Sequence, residues 1–77
     1  MPQSLASFKT GETGVILRLE GGYRFQTKMR DMGIREMKKI RLVAKQPFHG
    51  PVVIEIDGRE VTLGRRMAEQ IIAGHPE

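Results

Sequence analysis

A chain of 77 residues with a formal charge of +4 and no cysteine is expected to form one domain. A chain of this size buries only about 60–65% of its unfolded surface. Without cysteine there are no disulfides, thiolate metal sites or cysteine nucleophiles, which fits a reducing compartment. No apolar run nears the roughly 20 residues of a membrane-spanning helix, and the start of the chain lacks the basic and long apolar segments of a signal peptide, so a cytoplasmic chain without membrane insertion is expected.

Ser4 can cap a short helical turn, Leu5-Ala-Ser-Phe8, with its two apolar ends turned inward. The glycines of Lys9-Thr-Gly-Glu-Thr-Gly14 mark a tight turn. Val15 to Leu19 reads as a strand, with Val15, Leu17 and Leu19 on one face, and Gly21-Gly22 ends it. Tyr23 to Met32 reads as the one long helix. Phe25, Met29 and Met32 stand at i, i+4 and i+7 on its apolar face, and Arg24, Lys28 and Arg30 lie on its polar face. Gly33 is placed to stop the helix in the left-handed conformation, with Met29 and Ile34 in contact across a Schellman motif.

Lys38 to Lys45 reads as a second strand with Ile40, Leu42 and Ala44 on one face. Gln46-Pro-Phe-His-Gly-Pro51 is a loop, since two prolines cannot donate to a ladder. Val52 to Ile56 and Arg59 to Leu63 are strands joined by Asp57-Gly58, a type I′ hairpin signal. Gly64 to Glu69 reads as a helical turn, and Gln70 to Ala73 as a last short strand. Residues 1–4 and 74–77 are expected to fray. These elements predict a mainly β (α+β) fold, a small SH3-like barrel of about five strands with a helix inserted after the first.

Charge is unevenly distributed. Residues 24–45 hold eight basic and two acidic side chains, a net +6, while the rest of the chain is net −2. A basic middle suggests an acidic protein surface, nucleic acid or an anionic membrane as partner. Solvated cations on helix faces and edge strands are the plainer explanation.

Catalytic patterns are missing. Serine occurs only at 4 and 7, and the histidines are His49 in a loop and His75 near the end. No His-x-x-x-His pair exists. Glu55, Asp57 and Glu60 form a solvated hairpin rim. Gly11-Glu-Thr-Gly14 lacks the Gly-Lys-Ser/Thr of a phosphate loop. The chain therefore reads as a binding module with no enzymatic activity, cofactor, metal or small-molecule substrate.

The ordered features resemble the ferrous iron transport protein A (FeoA) family over nearly the whole chain. The matching pieces are Leu5, the Lys9-x-Gly11-x-x-Gly14 turn, Gly21-Gly22 and Met32-Gly33-Ile34. Ile40-x-Leu42, Pro47-x-x-Gly50-Pro51, Val53-x-x-Ile56-Asp57-Gly58, Leu63 and Ala68 follow in order. Met37 departs from the pattern, because relatives usually carry glycine there. Methionine disfavours positive φ, so this turn is expected to differ in shape.

The resemblance implies an SH3-like barrel in the cytoplasm. It also implies a non-enzymatic accessory or regulatory role in ferrous iron uptake, through contact with the cytosolic GTP-binding part of the FeoB membrane transporter. Arg24, Lys28, Arg30, Arg35 and Lys39, with Tyr23 and Phe48 as aromatic anchors, are the candidate contacts. The alternatives are a basic barrel that binds nucleic acid, or an SH3-type adaptor for proline-rich peptides. One Tyr, three Phe and no Trp offer few stacking surfaces for either. An unpaired sheet edge also makes a homodimer possible.

Overall fold

The computed structural model describes residues 1–75. Its elements are β1 (Gln3–Ser4), a 3₁₀ turn (Leu5–Ser7), β2 (Thr13–Leu19), α1 (Tyr23–Asp31) and β3 (Lys39–Lys45). They continue with β4 (Val52–Ile56), β5 (Arg59–Leu63), α2 (Arg65–Glu69) and β6 (Ile71–Gly74). One antiparallel sheet runs β1-β6-β2-β3-β4-β5. The expected small barrel with its inserted helix is present, but it has a sixth strand and is not closed between β1 and β5. The expected frayed ends are partly ordered. Gln3 pairs with Ala73 and Ser4 with Ile72, and Gly74 pairs with Val15. Residues 76–77 of the expected tail lie outside the described residues.

A single core collects the inner faces of these strands. Ile16, Ile40, Leu42, Val52, Ile54, Ile56, Leu63 and Ile71 are buried together with Leu5, Phe8, Met29, Ile34 and Ala68. Leu5 and Phe8 thus close the short turn inward as the sequence suggests. Gly14 permits this packing, because a Cβ there would strike the Phe8 ring and the Gly74 carbonyl.

Alternation in β2 does not run through as read from sequence. The register shifts between Ile16 and Arg18, so Leu17 is bulged out of the pairing. Ile16 before the shift and Leu19 after it are buried, whereas Leu17 is exposed and Val15 half-buried. A bulge reverses which parity faces the core. A second shift between Leu42 and Ala44 likewise leaves Leu42 buried and Ala44 only half-buried.

The helix stop is as expected. The Ile34 amide donates to the Met29 carbonyl at 2.8 Å, and the Gly33 amide to the Arg30 carbonyl at 3.0 Å. Those are the two bonds of a Schellman motif. Gly33 has φ +79, and Met29 and Ile34 are both fully buried. At the other end of α1 no side chain caps from Gly22. Instead the Gln26 amide reaches back to the Leu19 and Gly21 carbonyls, and Gln70 holds residue 20 through its amide and carbonyl. The hairpin turn has positive φ at both Asp57 and Gly58, the signature of type I′.

Candidate partner-binding surface

Which cations are available decides what this surface can do. Lys38 pairs with Asp57 at 3.0 Å, and Arg41 with Glu55 at 3.1 Å. Lys45 donates to the Ala6 and Phe8 carbonyls. Among the described residues, Arg24, Lys28, Arg30, Arg35 and Lys39 are exposed, form no ion pair and donate no side-chain hydrogen bond. Three of the eight cations of the basic middle are thus used inside the fold, and the five candidate cations are the remainder.

Helical geometry organises three of them. Arg24 and Lys28 are one turn apart on one strip, and Tyr23 and Arg30 are two turns apart on another, with Thr27 and Asp31 between the two strips. Phe25 and Met29 face the core, so the strip with Tyr23 points away from it, and Tyr23 is 83% exposed. Arg35 follows in the turn after α1, and Lys39 opens β3 opposite Val15. The hairpin locks this region from the other side, because the Arg59 guanidinium donates to the Met32 carbonyl at the helix end.

Phe48 does not join this group. It sits in the loop after Lys45, at the opposite end of β3, and seven extended residues separate the ends by roughly 20 Å. Tyr23 and Phe48 are therefore not two walls of one groove. Phe8 is buried and Phe25 half-buried. The aromatic-lined cleft that proline-rich ligands require is not formed by these residues.

Sequence reasoning singles out Met37 for its turn but not as part of this surface. It is 78% exposed between Arg35 and Lys39 and holds φ +74. Positive φ, which methionine disfavours, is nonetheless taken here. Methionine adopts the left-handed conformation, and its amide donates to the Ile16 carbonyl at 2.8 Å. That bond fixes the backbone while the side chain is left in solvent among the free cations. The signal was the departure from glycine itself, which is costly for a side chain that packs against nothing.

Beside this surface lies a shallow cavity of about 370 Å³ lined by Thr13, Lys39, Ile40, Arg41, Glu55, Asp57 and Gly58. Its two cations balance its two carboxylates, with Arg41 paired to Glu55 and Asp57 to Lys38 outside the lining, so it offers no net charge to a ligand. No group of three or more His, Asp or Glu is positioned to hold a metal ion among the described residues. No helix among them is long and apolar enough to cross a membrane.

Residues 3–73 match the sequence profile of the FeoA domain. A Methanocaldococcus jannaschii protein named Fe(2+) transport protein A is 29% identical over 73 residues, which span 95% of this chain and 87% of that one. The crystal structure of an iron uptake regulatory protein (FeoA) superposes with a TM-score of 0.88 at 23% identity, over 95% of this chain and 96% of that one. Iron(II) transport protein A from Clostridium thermocellum gives 0.85 at 29% identity, over 92% of this chain and 44% of that one. A manganese-dependent transcriptional repressor gives 0.90 at 24% identity, but this chain spans only 42% of it, so the same fold is one part of a larger protein there. The Schellman stop at Gly33, the Asp57-Gly58 hairpin and the order of the strands accompany a match along nearly the whole sequence, and the chain belongs to the FeoA family of ferrous iron transport accessory proteins.

Proposed function

We propose that this protein acts in ferrous iron uptake as a non-enzymatic cytosolic accessory or regulatory protein. It binds the cytosolic GTP-binding part of the FeoB membrane transporter through α1 and the turn after it. One observation supports this reading above the others. Arg24, Lys28, Arg30, Arg35 and Lys39 are exposed and unpaired, and Tyr23 and Met37 stand among them. Exposed cations steer an acidic partner and set register, and an aromatic anchor supplies buried contact. The partner surface is accordingly acidic with an apolar patch.

Titration of the purified chain against the transporter's cytosolic part tests the reading. Binding is expected at low salt. A Lys28→Glu, Arg30→Glu variant weakens it, and the difference shrinks as salt rises. No binding at roughly 100 μM, equivalent to about −5.5 kcal/mol, would sink the direct contact. The same cations would also suit nucleic acid. Retention on DNA or RNA at about 50 mM salt, where phosphate contacts are strong, would move the assignment there.

A further inference from the structure

The Gln46–Pro51 loop carries an expense that the fold does not need. Phe48 and His49 are consecutive residues with φ +59 each. Histidine is tolerated in the left-handed region, but a bulky residue there is an outlier. Phe48 gains no packing in return, being 97% exposed. Asparagine or glycine at this position would make the same turn without the steric conflict.

The loop is nonetheless braced. The Gln46 amide donates to the Pro51 carbonyl at 3.0 Å, and the Gly50 amide to the Pro47 carbonyl at 3.1 Å. Arg65 of α2 donates from Nε to the Gly50 carbonyl and from Nη2 to the Gln46 carbonyl, each at 2.9 Å. Two prolines restrict the ends. Gly50 lies so close to Gln46 that a Cβ would meet its side chain at 2.8 Å. A large apolar side chain held outward on a fixed loop has lost its ordering entropy before any encounter, which is what preorganisation means for binding. Sparsely populated backbone conformations that the surroundings enforce concentrate at such sites.

We propose that this loop is a second contact point, in which Phe48 inserts into an apolar pocket on the transporter's cytosolic part. The inference rests on the partner proposed above and adds a face at the other end of β3. A protein pocket fits better than a lipid surface. The cations flanking the loop, Lys45 and Arg65, are spent on carbonyls within the chain. Of the cations on α2, only Arg66 is left for anionic headgroups, and a single aromatic with one cation anchors weakly. The cavity described above would receive the Phe48 ring of a second copy poorly, because it is shallow and Lys39, Arg41, Glu55 and Asp57 are among its lining residues.

Binding of Phe48→Asn to the transporter's cytosolic part, at low and high salt, tests the proposal. The dissociation constant is expected to rise about tenfold or more, as for a buried aromatic anchor. The loss should be the same at both salt concentrations, with the unfolding midpoint unchanged or raised. An unchanged dissociation constant, while Lys28→Glu, Arg30→Glu still weakens binding, would overturn the loop contact and leave the basic face standing. The reverse pattern would remove the basic face and keep the loop. Phe48-dependent retention on vesicles of phosphatidylglycerol and phosphatidylcholine, or Phe48-dependent self-association in sedimentation, with no change in transporter binding, would also overturn it.

Discussion

Both ends of β3 are reached through left-handed residues, yet the two ends use them differently. At the helix end, Gly33 takes φ +79 and directs Ile34 into the core opposite Met29. Glycine pays no steric cost there, and the turn serves folding. At the loop end, Phe48 takes φ +59 and points a ring into solvent, where a non-glycine residue costs about 1–2 kcal/mol. Met37 is the intermediate case. It lies at the helix end, but it is bulky, exposed and left-handed as at the loop. At these two ends of β3, residue type at a positive φ separates a turn kept for the core from one that presents a side chain.

The largest effect is expected at Gly33. Alanine there meets the left-handed penalty of about 1–2 kcal/mol. Its Cβ also lands on the Arg59 guanidinium, which donates to the Met32 carbonyl. Loss or strain of that bond adds roughly a further 0.5–1 kcal/mol. Gly33→Ala should therefore destabilise by about 2 kcal/mol, lowering the thermal midpoint by about 8–16 °C. Denaturation of the two proteins by urea would read the difference. An unchanged midpoint would break the comparison, since Gly33 would then not be serving the core.

Much of this fold is legible in the sequence because local chemistry and global packing agree at the key places. The Met29, Gly33 and Ile34 spacing names both bonds of the helix stop. Asp57-Gly58 names its turn. Val52, Ile54 and Ile56 alternate with no interruption and are all buried. Alternation fails where a bulge intervenes, because nothing in Ile16-Leu17-Arg18 announces an extra residue. Simple alternation therefore puts Leu17 inward, whereas it lies outward. β1 is two residues long, too short for any periodic signal. The candidate surface was half legible. Five cations could be named from composition, but which of eight the fold consumes depends on Asp57, Glu55 and the Ala6 carbonyl, which are distant in sequence. Phe48 and Tyr23 look like one group in the sequence because chain order does not tell which end of the sheet a loop occupies.

Met37 sharpens the comparison with a change of opposite sign. Its side chain is 78% exposed, so replacement removes little packing. Glycine relieves the left-handed penalty of about 1–2 kcal/mol, and its freer unfolded state takes back about 0.5–1 kcal/mol. Met37→Gly is expected to stabilise by up to about 1 kcal/mol, raising the midpoint by about 4–8 °C. It should also weaken binding to the transporter's cytosolic part if the methionine is a contact. Stabilisation without loss of binding would assign Met37 to neither class of turn.

The smallest effect is an acid dependence carried by the turn before β2, which lies opposite the middle of β3 and away from the helix stop. Glu12 accepts from the Lys9 amide at 2.9 Å, from Gln3 Nε2 at 3.2 Å, and lies 2.9 Å from His75 Nε2. It therefore ties β1, the turn before β2 and the end of β6 together. The Lys9 amide bond, helped by His75, holds its carboxyl below the ordinary 4.5. A folded-state value below the unfolded one means the contribution is fully present above about pH 4.5. It is lost as pH falls through the folded value, because the unfolded chain then binds the proton first. Glu12→Gln should unfold less steeply with acid across that window, and the two proteins should converge below it. The Lys9 amide, which loses its charged acceptor in the variant, should exchange faster at pH 6, while the Ile34 amide at the helix stop should not change. Equal acceleration at both amides would show that the turn before β2 and the helix stop open as one unit, so that the helix end would have no stability of its own.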